Sequence, residues 1–117
     1  MWPMHSTVLS EAEVAAALVG LPGWRREGAE LLRVAELASF PLAIAVVDRV
    51  AEIAERDDHH PDIDIRWRTL TFRCATHSAG GITALDLAMA SQINAVLDGN
   101  AALDNPVLGN TVLDGSD

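Results

Sequence analysis

Residues 61–74 read PDIDIRWRTLTFRC, and the parity of the apolar residues in this stretch decides the fold. Ile63, Ile65 and Trp67 fall on one face of an extended chain, with Asp64 and Arg66 on the other, because side chains alternate across a strand. Leu70, Phe72 and Cys74 continue the apolar set on even numbers, so the parity changes across Arg68-Thr69. A two-residue hairpin loop produces such a change, since the residues flanking it pair and face the same side. This register sets Trp67 opposite Leu70, Ile65 opposite Phe72 and Ile63 opposite Cys74. Arg68-Thr69 contains neither Gly nor Asn, which leaves a bulge within one longer strand as the alternative.

Working outward, the period changes to that of a helix. From Phe40 to about Glu55 the residues Phe40, Ala43, Ile44, Val47, Ala51 and Ala54 recur at helical spacing. Nearer the N-terminus, Ser10 and Glu13 form a capping box, with Leu9 and Val14 as its hydrophobic staple. Val14, Ala17, Leu18 and Leu21 give that helix one apolar stripe, and Gly20 with Pro22 ends it. Trp24 opens a strand, Glu27-Gly28-Ala29-Glu30 supplies a turn, and Leu32 and Val34 alternate with Arg33 on the next strand. A last helix begins at Thr83, with Asp86 completing a second capping box and Ile82 and Leu87 as staple. Its inward stripe is Leu87, Ala90, Ile93, Asn94 and Leu97, and it ends near Gly99. The order α-β-β-α-β-β-α implies an α+β domain, a four-stranded antiparallel sheet with three helices on one face, over residues 1–98. Residues 99–117 hold no period and read as a flexible or partly docked tail.

Composition bounds the partners. With Lys+Arg 8 against Asp+Glu 17, the chain of 117 residues carries a net charge of −9, which argues against nucleic acid and anionic membranes. Half of the residues are hydrophobic, enough for one core. Cys74 is the single cysteine, so a disulfide within the chain is excluded. The N-terminus lacks a secretory pattern and no apolar run approaches the roughly 18 residues of a membrane span, so a cytoplasmic protein is expected. Two exposed sheet edges invite self-association, and a homodimer or homotetramer is expected.

The chemistry concentrates between Glu55 and Asp86. Three of the four histidines, His59, His60 and His77, lie there with Glu55, Asp58 and Asp86. Pro61 pushes His60 into an extended conformation, and adjacent side chains on extended backbone diverge, so His59 and His60 should have separate tasks. Pairing the two strands brings the end at His77 beside the start after Pro61, so the histidines converge at one end of the sheet. Imidazoles so placed can donate and remove protons near neutral pH, with the carboxylates orienting them. An elimination of water fits that capacity. Zinc or iron would use the same side chains, but adjacent histidines chelate awkwardly and no helical i, i+4 pair is present, so no metal is expected. Asp86 reads first as a helix cap, and Trp67 serves equally as core filling or as a wall for a flat ligand.

The stretch Glu55-Arg56-Asp57-Asp58-His59-His60-Pro61, with Trp67, Thr76-His77, Gly80-Gly81-Ile82-Thr83 and Asp86, resembles the signature of the pterin-4a-carbinolamine dehydratases. The similarity extends through Gly23-Trp24 and Phe40-Pro41 and covers roughly residues 8 to 98. It implies an oligomeric α+β enzyme that removes water from 4a-hydroxytetrahydrobiopterin to give quinonoid dihydropterin, without metal or organic cofactor. By that resemblance His59, His60 and His77 surround the pterin, with His60 and His77 as the main acid-base pair and His59 auxiliary. Glu55 and Asp58 would orient the pterin, Trp67 would wall the pocket, and Asp86 would support His77 or cap its helix. Pro61 and Thr76 complete the expected substrate-binding set. Asp62-Ile63-Asp64 and the tail depart from the family pattern and leave the natural pterin open, whether of tetrahydrobiopterin recycling or of molybdenum cofactor metabolism. The competing readings are a protein-assembly or transcriptional dimerisation module and a pterin-binding protein without turnover.

Overall fold

The capping boxes at Ser10 and Thr83 both form, and each starts a helix. Ser10 accepts from the Glu13 N–H while Glu13 reaches back to the Ser10 N–H, and Thr83 and Asp86 make the corresponding pair. The structure, a computed structural model, describes residues 7–99. The tail beyond Gly99, expected to be flexible or partly docked, lies outside the described residues.

Three helices, α1 (Glu11–Leu18), α2 (Phe40–Asp57) and α3 (Ala84–Asp98), alternate with strands β1 (Trp24–Glu27), β2 (Glu30–Glu36), β3 (Asp62–Arg66) and β4 (Thr69–Cys74) in the expected order. The sheet runs β1-β2-β4-β3, with every neighbouring pair antiparallel. Leu70, Phe72 and Cys74 on β4 point at the helices and are buried. Each such apolar side chain removed from water contributes about 1.5–3 kcal/mol, so central β4 anchors the core.

The β3–β4 hairpin forms, but its register differs from the expected one by two residues. The loop is Trp67-Arg68, Ile65 faces Leu70, and Ile63 faces Phe72. Both registers preserve the parity rule, so the apolar pattern alone does not choose between them. Tertiary contacts favour the observed one: Leu37 N–H donates to the Arg68 carbonyl at 2.8 Å, and Arg68 Nη1 returns a bond to the Leu37 carbonyl at 3.0 Å. The cost is a left-handed backbone at Trp67, φ 57°, a conformation that residues with bulky side chains seldom adopt.

Two further expectations shift. On β2 the residues facing the helices are Leu31, Arg33 and Ala35, paired with Cys74, Phe72 and Leu70, so Leu32 and Val34 lie on the other face. Arg33 turns inward because α3 offers Asn94. The Asn94 Oδ1 accepts from Arg33 Nη1 and from Trp24 Nε1–H, the latter at 2.7 Å, and Asn94 Nδ2 donates to the Pro22 carbonyl at 3.1 Å. The polar break in α3 is therefore the hub of a buried network. Gly23 beside it has φ 90°, and a Cβ there would come within 2.7 Å of Arg33 Nε. On α2 the buried row is Leu42, Ala43, Val46, Val50, Ile53 and Ala54. The row read from sequence is only partly inward: Ile44 and Val47 are half-buried, and Phe40 and Ala51 are exposed. Both rows are apolar and share Ala43 and Ala54, so the apolar pattern alone does not choose between them. Among the described residues no helix is long and apolar enough to cross a membrane.

Candidate active site

His59 reaches its position through a reversal at the end of α2. Asp58 takes the left-handed conformation, φ 52°, and caps the helix, while the His59 N–H donates to the Ala54 carbonyl at 3.1 Å. Asp tolerates this conformation better than most residues. The turn sends the His59 ring inward, where Nε2 meets Asp86 Oδ1 at 2.7 Å. The His59 side chain is 13% exposed and Asp86 is fully buried. With Nε2 committed to the carboxylate, Nδ1 is the nitrogen left for a ligand.

Asp86 is thus more than a cap. Its Oδ2 accepts the Thr76 hydroxyl at 2.8 Å and the Thr83 N–H at 2.9 Å. Cys74 lies close enough for the Asp86 charge to act on it: burial first, then Asp86, Asp62 and Glu30, push its thiol far above the ordinary range.

His60 precedes Pro61, which favours extended backbone there, and its side chain faces outward. Its Nε2 lies 2.7 Å from Glu55 Oε2, both side chains being well exposed. His77 is exposed at the start of a tight loop in which Thr76 bridges to Gly81. It borders a cavity of about 250 Å³ with Ala29, Glu30, Ala75, Gly80 and Gly81. Because Asp62 pairs with Arg73, His60-Pro61 and the segment leading to His77 leave the sheet at the same end. Thr76, next to His77, bonds the same carboxylate as His59. Glu55, Asp58, Pro61, Thr76 and Asp86 belong to this end, although Thr76 is buried with its hydroxyl engaged inside the protein.

Trp67 is placed elsewhere. The whole of β3 separates it from Pro61, about 20 Å at roughly 3.3 Å per residue. It is 53% exposed in the β3–β4 turn, and the Arg68 guanidinium stacks over its ring at 4.6 Å. A larger cavity of about 440 Å³ also lies away from the histidines, between α2 and α3, lined by Arg49, Ile53, Arg56, Gln92, Ala95 and Val96. Among the described residues no group of three or more His, Cys, Asp or Glu side chains is placed to hold a metal ion. Thr83 escaped the sequence reading because its spacing to Asp86 explained it as a cap. Its further bond to the Thr76 hydroxyl, at 2.8 Å, depends on the loop closing.

A four-stranded antiparallel sheet covered by three helices, with a histidine held by a buried carboxylate at one end, defines a small α+β domain. Comparison with known proteins makes this specific. Residues 7–96 match the family model for pterin 4 alpha carbinolamine dehydratase, and the chain belongs to that family. A provisionally named pterin-4-alpha-carbinolamine dehydratase of Nocardia farcinica (strain IFM 10152) is 57% identical over 91 residues, 78% of this chain and 96% of the relative. A protein of the same provisional name from Roseiflexus sp. (strain RS-1) is 49% identical over 92 residues, 79% of this chain and 99% of the relative. The crystal structure of a transcriptional coactivator/pterin dehydratase from Brucella melitensis superposes with a TM-score of 0.75 at 33% identity, covering 77% of this chain and 98% of that one. A pterin dehydratase-like protein described as a RuBisCO assembly factor in the alpha-carboxysome shares the fold, with a TM-score of 0.55 at 21% identity over 63% of this chain and 88% of its own.

Proposed function

We propose that this protein dehydrates 4a-hydroxytetrahydrobiopterin to quinonoid dihydropterin by histidine acid-base catalysis, in tetrahydrobiopterin recycling in the cytoplasm. The observation that carries the reading is the His59–Asp86 pair at 2.7 Å, with Asp86 fully buried. Dehydration breaks the C4a–O bond as an acid protonates the departing hydroxyl. A base takes the proton from N5, and the N–H electron pair becomes the C4a=N5 bond. Two proton-transfer groups are required, and each contributes roughly a hundred- to ten-thousand-fold. We assign one transfer to His59, oriented by Asp86, in place of the auxiliary role the resemblance implied for it, and the other to His77; His60, expected in the acid-base pair, is exposed beside Glu55 and takes the positioning role with it.

The test is the rate of dehydration of freshly generated 4a-hydroxytetrahydropterin, for wild type beside His59→Ala and His77→Ala. A drop of roughly a hundredfold or more in each variant is expected. Wild type no faster than buffer, with the fold intact, would sink the enzyme reading.

The protein also presents a surface suited to a second copy. Arg49, Ile53 and Arg56 of α2 line the cavity shared with α3, so Phe40, Ile44, Val47 and Ala51 fall on the opposite flank of α2 at helical spacing. The edge strand β3 exposes Ile65, at 41%, and leads into Trp67. We propose a homodimer or homotetramer assembled on this flank and edge, to be checked by sedimentation equilibrium; a monomer at micromolar concentration would refute it. The same flank is where a second reading, a protein-assembly role, would act; the Brucella melitensis relative is described both as a transcriptional coactivator and as a pterin dehydratase. An inactive wild type that still self-associates would favour that role.

A further inference from the structure

Both oxygens of Asp86 are engaged, and the protons of the surrounding hydroxyls can be assigned by counting. A carboxylate only accepts, so the single hydroxyl proton of Thr76 goes to Asp86 Oδ2, 2.8 Å away. The Thr76 and Thr83 hydroxyls are also 2.8 Å apart, and with the Thr76 proton committed this contact takes the proton of Thr83. The Thr83 hydroxyl in turn accepts from the Leu85 N–H at 3.1 Å. Donation therefore runs one way: Leu85 N–H to Thr83, Thr83 to Thr76, and Thr76 to Asp86. Hydrogen bonds aligned head to tail polarise one another, most strongly in a dry interior. The side chains are shielded from solvent, with Thr83 and Asp86 at 0% exposure and Thr76 at 5%. Neither hydroxyl retains a proton for a ligand.

The same two threonines flank the loop that carries His77. The Thr76 N–H donates to the Gly81 carbonyl at 2.9 Å, and the Ala79 and Gly80 N–H groups both donate to the Thr76 carbonyl at 2.9 Å. The hydroxyl contact joins the base of this loop to the start of α3, where Asp86 sits. Through its two bonds the Thr76 hydroxyl thus ties the loop of His77 to Thr83 and to Asp86, the partner of His59.

We infer that Thr76 and Thr83 are positioning residues, whose hydroxyl relay fixes the Asp86 carboxylate on His59 and holds the His77 loop in register with it. The inference rests on the proposed acid-base role of His59. It gives Thr76 a place behind the histidines instead of a contact with substrate, and it adds Thr83, which capping alone would otherwise explain. Capping uses the Thr83 hydroxyl as an acceptor from Leu85, and that bond does not involve Thr76.

Thr76→Val separates the two roles, since it removes the relay while leaving the Thr83 cap in place. The expected result is a fall in kcat on the order of ten- to a hundredfold, the scale of a misplaced catalytic group, with KM unchanged and with Thr76→Ser restoring kcat. The His59 ring 15N and Nε2–H signals should shift in Thr76→Val and return in Thr76→Ser. Unchanged kcat and unchanged His59 signals in the valine variant would overturn the inference. So would a serine variant as impaired as the valine one, because that would make the methyl packing the cause. If wild type proves unable to dehydrate the pterin, the enzyme reading fails, and the His59 signals still decide whether the relay positions that ring.

Discussion

His59 meets Asp86 at 2.7 Å and His60 meets Glu55 at 2.7 Å, yet the first pair has side-chain exposures of 13% and 0% and the second of 54% and 79%. The separation is the same, and the surroundings assign different roles. An exposed pair competes with water and typically contributes about 0–1 kcal/mol, because holding two mobile side chains together offsets the Coulomb gain. A buried carboxylate has no water to fall back on, and its bonds to His59, Thr76 and the Thr83 N–H replace that solvation. The ring held by the buried pair is therefore preorganised, while the exposed ring is free to adapt to a ligand.

The sharpest way to break this contrast is to neutralise each carboxylate in turn. Asp86→Asn is expected to lower kcat by roughly a hundredfold or more, because an amide carries no charge and offers one acceptor oxygen where the carboxylate offers two, so it cannot serve both His59 and the Thr76 and Thr83 donors. Glu55→Gln is expected to act mainly on KM, as the change of a positioning contact should. Steady-state kinetics on the pterin carbinolamine decides between them, and equal effects on kcat would erase the distinction between the two pairs. Stability should divide the same way. Asp86→Ala is expected to cost about 3–5 kcal/mol, the scale for breaking a buried pair, and Glu55→Ala at most about 1 kcal/mol. Urea unfolding measures both, and a Glu55→Ala loss matching that of Asp86→Ala would show that exposure is not what separates them.

The elements that frame this contrast were legible in the sequence, and the contrast itself was not, for a physical reason. The capping boxes were readable because Ser10 with Glu13, and Thr83 with Asp86, act over three residues through local backbone. That the chain leaves the sheet toward His77 at the end where it enters from His60 followed from strand pairing, because either register joins the same ends. The pairing of histidine with carboxylate was not readable. It depends on one left-handed residue, Asp58, which turns His59 toward α3 and leaves His60 with Glu55. The inward turn of Arg33 was unreadable for a related reason, since its partner Asn94 lies 61 residues away. Alternation records which side a residue faces, and only the tertiary fold shows what waits there.

A third carboxylate sharpens the comparison from the surface side, with the smallest expected effect. Asp57 ends α2, where the Arg56 guanidinium bonds it at 2.8 Å and Gln92 of α3 donates to it at 2.8 Å. The Arg56 hydrogen bond first, and the Gln92 bond second, lower its carboxyl from 3.8 to about 2. Lowering favours the ionised form in the folded chain, so the contribution to stability is complete above the unfolded value of 3.8 and is lost as pH falls through about 2. Asp57→Asn should therefore be less stable than wild type near neutral pH, by a small margin, and the gap should close as the solution is acidified across that window. Urea midpoints of the two proteins over the acid range measure it. A gap that persists below the folded value would mean that Asp57 acts through helix-end packing, and its charge would then play no part in joining α2 to α3.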